Sequence, residues 1–209
     1  MKAVRSVAGP AVPLGRGDID TDTIIPQNWL ITTERDGLGI GLFSNWRYLD
    51  NNFSPNPAFV MNEPRFEGAR IIVAGPNYGC GSSREHAVWA HLDYGIEAVI
   101  APSFGPIFFD NALKNGLLAI VLSAQDTTRL IAQLQAGPRN QMRVSLDRQE
   151  VLGPDSQTYR FAMDEKRRQA IMQGEDDIAA TLRMSAAIDA FQNEDRLRQP
   201  WLWPGTPKA

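Results

Sequence analysis

The chain is poor in the residues that build redox and metal centres. It has one cysteine and two histidines among its 209 residues. A lone cysteine excludes an intrachain disulfide, which suits a reducing cytoplasm. A zinc or iron–sulfur centre needs several Cys or His ligands. Cys80, His86 and His91 are all the chain offers, so chemistry that needs such a centre has to borrow it from another chain. Basic residues are not in surplus either: 21 Lys and Arg stand against 24 Asp and Glu, for a formal charge of -3. That balance excludes a whole-chain nucleic-acid footprint. No apolar run approaches the roughly 18–20 residues of a membrane span. Met1–Pro13 has no sustained apolar core and does not read as a signal peptide. The expectation is a cytoplasmic protein with neither a nucleic-acid nor a membrane partner.

The first third, residues 1–68, is rich in Gly, Pro, Asn and Asp. Asp18–Pro26 alternates acids with small or branched residues and reads as a loop leading into a short helix or turn. Arg35–Gly41 carries three glycines at alternate positions and reads as a mobile loop. Asn51–Pro64 reads as irregular. From residue 69 strands and helices alternate, which favours a sheet covered by helices. Strands are expected over 69–75, 97–101 and 117–122, and helices over 83–94, 104–115 and 123–136. Ser82 fits the spacing of a capping box with Glu85. Gly116 is placed to end a helix in the left-handed conformation, and Ser123 to cap the next one. Strands follow at 142–147, 150–152 and 158–163, then helices at 164–173 and about 177–192. The Pro- and Trp-rich end, 200–207, cannot be a regular helix. Trp201 and Trp203 have either this chain or a partner to dock on.

The densest chemistry lies in Asn77–His86. There a strand ends, two glycines allow a tight turn, and a helix begins with two hydroxyls and an arginine. Helix N-termini suit anions, and the Arg84 fork can grip a carboxylate in bidentate fashion. The segment lacks the third glycine of a dinucleotide fingerprint and the Gly-Lys-Ser/Thr of a phosphate loop. A capped helix with an exposed arginine accounts for the spacing equally well. Cys80 has two readings, a nucleophile activated by the helix end and a small residue in a tight turn; we adopt the second. His86 and His91 are five residues apart, about 140° around a helix, and make poor co-ligands. Packing or capping is the default role for both. The acids Asp18, Asp20 and Asp22 lack the glycine and distal glutamate of a calcium loop.

Three blocks carry a resemblance: G-D-I-D-T-D-T-I-I-P (Gly17–Pro26), N-Y-G-C-G-S-S-R-E-H-A (Asn77–Ala87) and A-P-S-F-G-P-I-F-F-D-N-A-L-K-N-G-L-L (Ala101–Leu118). Further blocks are L-F-S-N-W-R-Y-L (Leu42–Leu49), P-N-P-A-F-V (Pro55–Val60) and D-D-I-A-A-T-L (Asp176–Leu182). Together they resemble the small subunits of bacterial two-subunit 3-isopropylmalate dehydratases, of the aconitase superfamily. The likeness runs over roughly residues 4–192. Nothing after Asn193 can be carried over, so residues 1–192 are expected as one domain and 193–209 as a tail.

The resemblance implies an α/β swivel domain, a β/β/α barrel-like body with surrounding helices. It implies a hydro-lyase of leucine biosynthesis that isomerises 2-isopropylmalate through isopropylmaleate. It also implies a heterodimer, or a higher assembly, with a large subunit holding a [4Fe–4S] cluster; this chain itself would bind no cofactor and no metal. Residue by residue, it makes Ser82 the base on the substrate C–H. Ser83 and Arg84 become the carboxylate holders. Asp22 becomes an acid that orients a histidine of the cluster-bearing side, and Arg35 a substrate-contacting arginine. Gly79, Gly81, Glu85 and His86 are supporting residues. The glycine loop, about residues 32–42, departs from its relatives: where they usually read R-T-G-F-G, this chain reads Arg35-Asp-Gly-Leu-Gly39. Leu38 would suit an isopropyl group. Asp36 keeps open a paralogous dehydratase of methylmalate, dimethylmalate or a similar 2-hydroxydiacid. A non-catalytic metabolite sensor using the same anion cradle is a third reading.

Overall fold

The longest strand, β1 (Ser6–Leu14), is the one the sequence hides. It carries Pro10 and Pro13, residues that argue against a central strand. Yet it lies mid-sheet, because it splits its pairing. Ser6–Pro10 pairs antiparallel with β5 (Gln141–Ser145), and Ala11–Leu14 pairs parallel with β2 (Ile71–Ala74). Each half is bonded along one side, so a residue without an N–H is tolerated in either.

A computed structural model describes residues 2–31, 34–82, 84–175 and 177–203. Among these, β1, β2, β3 (Ala98–Ala101), β4 (Leu118–Val121), β5, β6 (Glu150–Leu152) and β7 (Thr158–Arg160) form one mixed sheet, in the order β4-β3-β2-β1-β5-β6-β7. β1 to β4 run parallel and β5 to β7 antiparallel. The sheet curls into a half-barrel, as the swivel-domain expectation requires.

Two short helices, α1 (Thr21–Ile24) and α2 (Ser44–Arg47), lie in the long crossover between β1 and β2. α3 (Glu85–Tyr94) joins β2 to β3 and α4 (Pro106–Asn115) joins β3 to β4. Gly116 does end α4 in the left-handed region, at φ 86°. α5 (Ala124–Ala136) starts at Ser123, whose hydroxyl accepts from the Asp126 amide at 3.0 Å. It packs on β1, β2 and β3 through fully buried Leu130 and Leu134. Such burial stabilises by about 1.5–3 kcal/mol per side chain. β2 and β3 are buried on both faces, which explains their unbroken branched runs. α6 (Glu165–Gln173) is capped by the Asp164 carboxylate.

The chain divides into two compact units, residues 1–174 and 175–209. In the second unit the helix expected over 177–192 is two helices, α7 (Asp177–Leu182) and α8 (Ser185–Arg198). Trp203 folds back on α8: its Nε1 donates to Asp195 at 3.1 Å, and Arg196 stacks on its ring. Trp201 is exposed.

Candidate functional site

The parallel strands set the site. The loops that leave the C-terminal ends of β1, β2 and β3 lie side by side, the usual place for ligand chemistry in parallel sheets. They are tied by main-chain bonds. The Asp18 amide donates to Pro76 O at 2.9 Å, Gly79 N to Ile19 O at 2.7 Å, and Tyr78 N to Ser103 O at 3.0 Å. The Asn77 side chain donates to Asp18 at 2.7 Å, and its amide to the Ser103 hydroxyl at 2.8 Å.

Against this frame the loop from Gly79 to Arg84 is held in one shape. Gly79 has φ 71°, and a Cβ there would run into the Phe108 ring. Gly81 has φ 90°. The Thr21 amide donates to Cys80 O at 2.9 Å, and the Thr21 hydroxyl to Ser82 O at 3.0 Å.

These bonds change the expected helix start. Ser82 is not the N-cap; that position is Arg84, with no side-chain cap, and α3 begins at Glu85. The capping box does not form because the Ser82 carbonyl is held by Thr21. Glu85, its would-be partner, accepts instead from the Asn115 side chain at 2.7 Å.

Ser82 is exposed, and Arg84 forms an ion pair with Asp22 across the loop from α1. Asp22 is half-exposed while Arg84 is largely covered. The structure thus brings together Asp22, Ser82 and Arg84. Ser83 lies outside the described residues. Arg35 is exposed and stacks over the Trp89 ring of α3, 5.0 Å from its centroid. The His86 ring lies 4.8 Å from the same indole, and Trp89 Nε1 donates to Asn115 at 3.3 Å. Arg35, Glu85 and His86 therefore gather along α3.

Leu38 does not join them; it is 2% exposed and belongs to the core. In this conformation it has no surface to offer a substrate. Ile40, two residues on, is half-exposed. The segment Leu38–Gly41 is a 3-10 helix, not the mobile loop expected of its glycines. Asp93 accepts from the Gly39 amide at 2.6 Å, and Arg47 donates to Gly39 O at 2.9 Å. Asp36 faces solvent.

Beneath the loop lies a buried pair that spacing does not reveal. The Tyr78 hydroxyl meets His91 Nε2 at 2.6 Å, and His91 Nδ1 lies 2.6 Å from Ala87 O. A carbonyl only accepts, so Nδ1 carries the proton and Nε2 accepts from Tyr78. Burial lowers the His91 pKa to about 4, against a smaller raising effect of the Ala87 carbonyl. Burial also drives the Tyr78 phenol well above its ordinary value. Cys80 is raised as well, by desolvation and then by Asp20 and Asp18. That direction runs against an activated thiolate and supports the tight-turn reading.

The donor set does not fit an iron–sulfur cluster. Both His91 nitrogens are engaged in the core, and Cys80 is a single thiol whose pKa burial pushes up. Among the described residues no group of three His, Cys, Asp or Glu converges for a metal ion. Two surface clefts, of about 620 and 540 Å³, lie elsewhere: one against Trp29, Tyr48 and Phe53, the other against Arg16, Trp46 and Arg65. Asp22, Ser82 and Arg84 line neither; Ser82 and Asp22 are exposed to solvent.

Sequence reading missed Thr21, Tyr78, Trp89 and Asn115. Thr21, a polar residue in an acidic run, carries no outward sign of its burial. For Trp89, its place four residues after Glu85 on one helix face was the available signal.

Comparisons with known proteins bear on the fold and the family. Residues 1–125 match the aconitase C-terminal domain family, and 177–204 match the C-terminal domain of the 3-isopropylmalate dehydratase small subunit. The second match overturns the expectation that nothing beyond Asn193 can be compared. The chain is 50% identical to 3-isopropylmalate dehydratase small subunit 2 of Bordetella parapertussis, over 97% of this chain and 100% of the relative. It is 46% identical to the small subunit of Azorhizobium caulinodans, with the same coverage of both chains. A crystal structure of 3-isopropylmalate dehydratase from Methanocaldococcus jannaschii superposes with a TM-score of 0.62 at 29% identity, covering 90% of this chain and 99% of that one. The chain belongs to the family of 3-isopropylmalate dehydratase small subunits, built on the aconitase C-terminal domain.

Proposed function

We propose that this chain is the small subunit of a hydro-lyase that isomerises 2-isopropylmalate in cytoplasmic leucine biosynthesis, working only with a cluster-bearing large subunit. The observation that carries the reading is the convergence of Ser82, Arg84 and Asp22 at the open C-terminal edge of the parallel strands. An open half-site suits a chain whose partner completes it.

Ser82 Oγ takes the proton from the substrate carbon and returns it on rehydration. The hydroxyl leaves on the side the partner covers. A serine hydroxyl is a weak base unless its alkoxide is stabilised. The positive end of α3 and the Arg84 guanidinium supply that potential. Arg84 also takes a substrate carboxylate, and the hydrogen bond to it that the resemblance assigns to Ser83 completes the grip. In the single chain Asp22 holds Arg84, so a substrate carboxylate has to displace Asp22 from the fork. Asp22 then turns toward a histidine of the large subunit. Arg35, on the Trp89 face, supplies a second anion contact. Gly79 and Gly81 shape the loop, and Glu85 and His86 support its exit into α3. Asp36 faces solvent, which is compatible with an apolar substrate side chain.

The test is an anaerobic assay of the chain alone and mixed with its large subunit, following the unsaturated intermediate by ultraviolet absorbance. Activity is expected only in the mixture, with 2-isopropylmalate preferred over methylated malates. Turnover by the chain alone would refute the subunit reading. Preference for a methylated malate would refute the substrate, and dicarboxylate binding without turnover in the mixture would favour a sensor.

A further inference from the structure

We propose that Thr21 is a positioning residue for the reaction: its hydroxyl fixes the main chain at Ser82 and thereby the place of the serine oxygen. This rests on the reading of Ser82 as the base.

Thr21 is 1% exposed, one of three buried polar side chains among the described residues. Its hydroxyl spends its proton on the Ser82 carbonyl, at 3.0 Å, across 61 residues of chain. Its amide holds Cys80 O at 2.9 Å, and an isolated bridge joins Asp20 to Cys80. Thr21 therefore grips the loop at two main-chain points on either side of Gly81.

That grip matters because of what flanks it. Gly79 and Gly81 both sit at positive φ, a region glycine enters freely. Left to itself, such a loop samples several shapes. Among the described residues nothing hydrogen-bonds the Ser82 hydroxyl, so the reach of the serine oxygen is set by where its main chain lies.

The gripping side is rigid. α1 is fixed by the Asp20 carboxylate, which accepts from Thr23 N at 2.7 Å, and by Phe43 N, which donates to Ile24 O at 2.7 Å. Ile24 and Ile25 are fully buried. The next residue of α1, Asp22, pairs with Arg84. Two consecutive side chains of one short helix thus hold the two ends of the Ser82–Arg84 segment. A misplacement of about 1 Å at a reacting group can slow a reaction on the order of a hundredfold.

The experiment compares Thr21→Val and Thr21→Ser in the assembled two-subunit enzyme, with hydrogen exchange of the 79–84 amides measured on the full chain alone. Valine keeps the shape and removes the donor; serine keeps the donor. Thr21→Val is expected to lower kcat about tenfold or more with KM nearly unchanged, and to speed exchange in the loop. Thr21→Ser should restore both to within about threefold of wild type. In a Ser82→Ala background, Thr21→Val should have no further effect on kcat, because it acts through Ser82. Wild-type kcat and exchange in Thr21→Val would overturn the proposal. So would equal losses in the valine and serine variants, which would mark a packing role. If Thr21→Val does not fold, Thr21→Ala takes its place with the same readouts. Wild-type kcat in Ser82→Ala would instead sink the base itself, while the exchange data would still report whether Thr21 holds the loop.

Discussion

Two glycine-rich segments, Arg35–Gly41 and Asn77–Ser82, look alike in sequence and do different work. In the first, Gly39 is there for contact: a Cβ would meet the Tyr94 amide nitrogen at 2.6 Å, so the segment is pressed against the end of α3. In the second, Gly79 and Gly81 are there for shape, both at positive φ. Gly79 has a packing reason as well, its closeness to Phe108. Alternating glycines read as mobility, yet neither segment is a loose loop. What separates them is the helix that receives them. Leu38–Gly41 packs on α3 with Leu38 buried, and Asn77–Ser82 exposes Asn77 and Ser82 ahead of the start of α3.

Substitutions can break this contrast in graded steps. Gly79→Ala should cost the most, about 3–5 kcal/mol, from left-handed strain added to overpacking against Phe108. Thermal or urea unfolding would measure it. A loss below about 1 kcal/mol would mean the loop is free to move away.

Protonation probes what the second segment rests on. His91 is neutral in the fold with a pKa near 4, against 6.5 for the unfolded chain. Between those values the unfolded state binds a proton that the native state refuses, so stability falls as pH drops from about 6.5 to 4. The full difference is on the order of 3 kcal/mol. His91→Gln should lower stability at neutral pH and flatten that slope in urea titrations. An unchanged slope would remove His91 from the buried pair.

Gly39→Ala should cost about 1–3 kcal/mol by overpacking on backbone atoms that cannot yield. Its neighbour Gly37 has φ 85° and open space around it, so Gly37→Ala should show strain alone, about 1 kcal/mol. Equal effects at positions 37 and 39 would dissolve the distinction between contact and shape.

Legibility followed the range of the interactions. Local signals were readable: the Ser123 cap, the Gly116 stop, and the buried runs at Ile71 and Ala98 each depend on a few neighbours. β1 was not, because its two prolines are allowed only by a change of partner at mid-strand. α3 starts two residues later than expected, at Glu85, where the Ser82 carbonyl is engaged by Thr21, far off in sequence. Leu38 read as a pocket residue because it is the apolar residue of the glycine loop that the resemblance sets against the substrate; packing on α3 buried it. The resemblance named Ser82, Arg84 and Asp22, while the pairing of Arg84 with Asp22 across the loop had no local signal.

The most direct measurement is the steady-state kinetics of the assembled enzyme carrying Ser82→Ala, beside wild type, under anaerobic conditions. If Ser82 is the base, kcat falls by about 10²–10⁴-fold while KM and the unfolding midpoint hold. A kcat within about threefold of wild type would contradict the assignment and leave the Gly79–Arg84 loop as a binding element only.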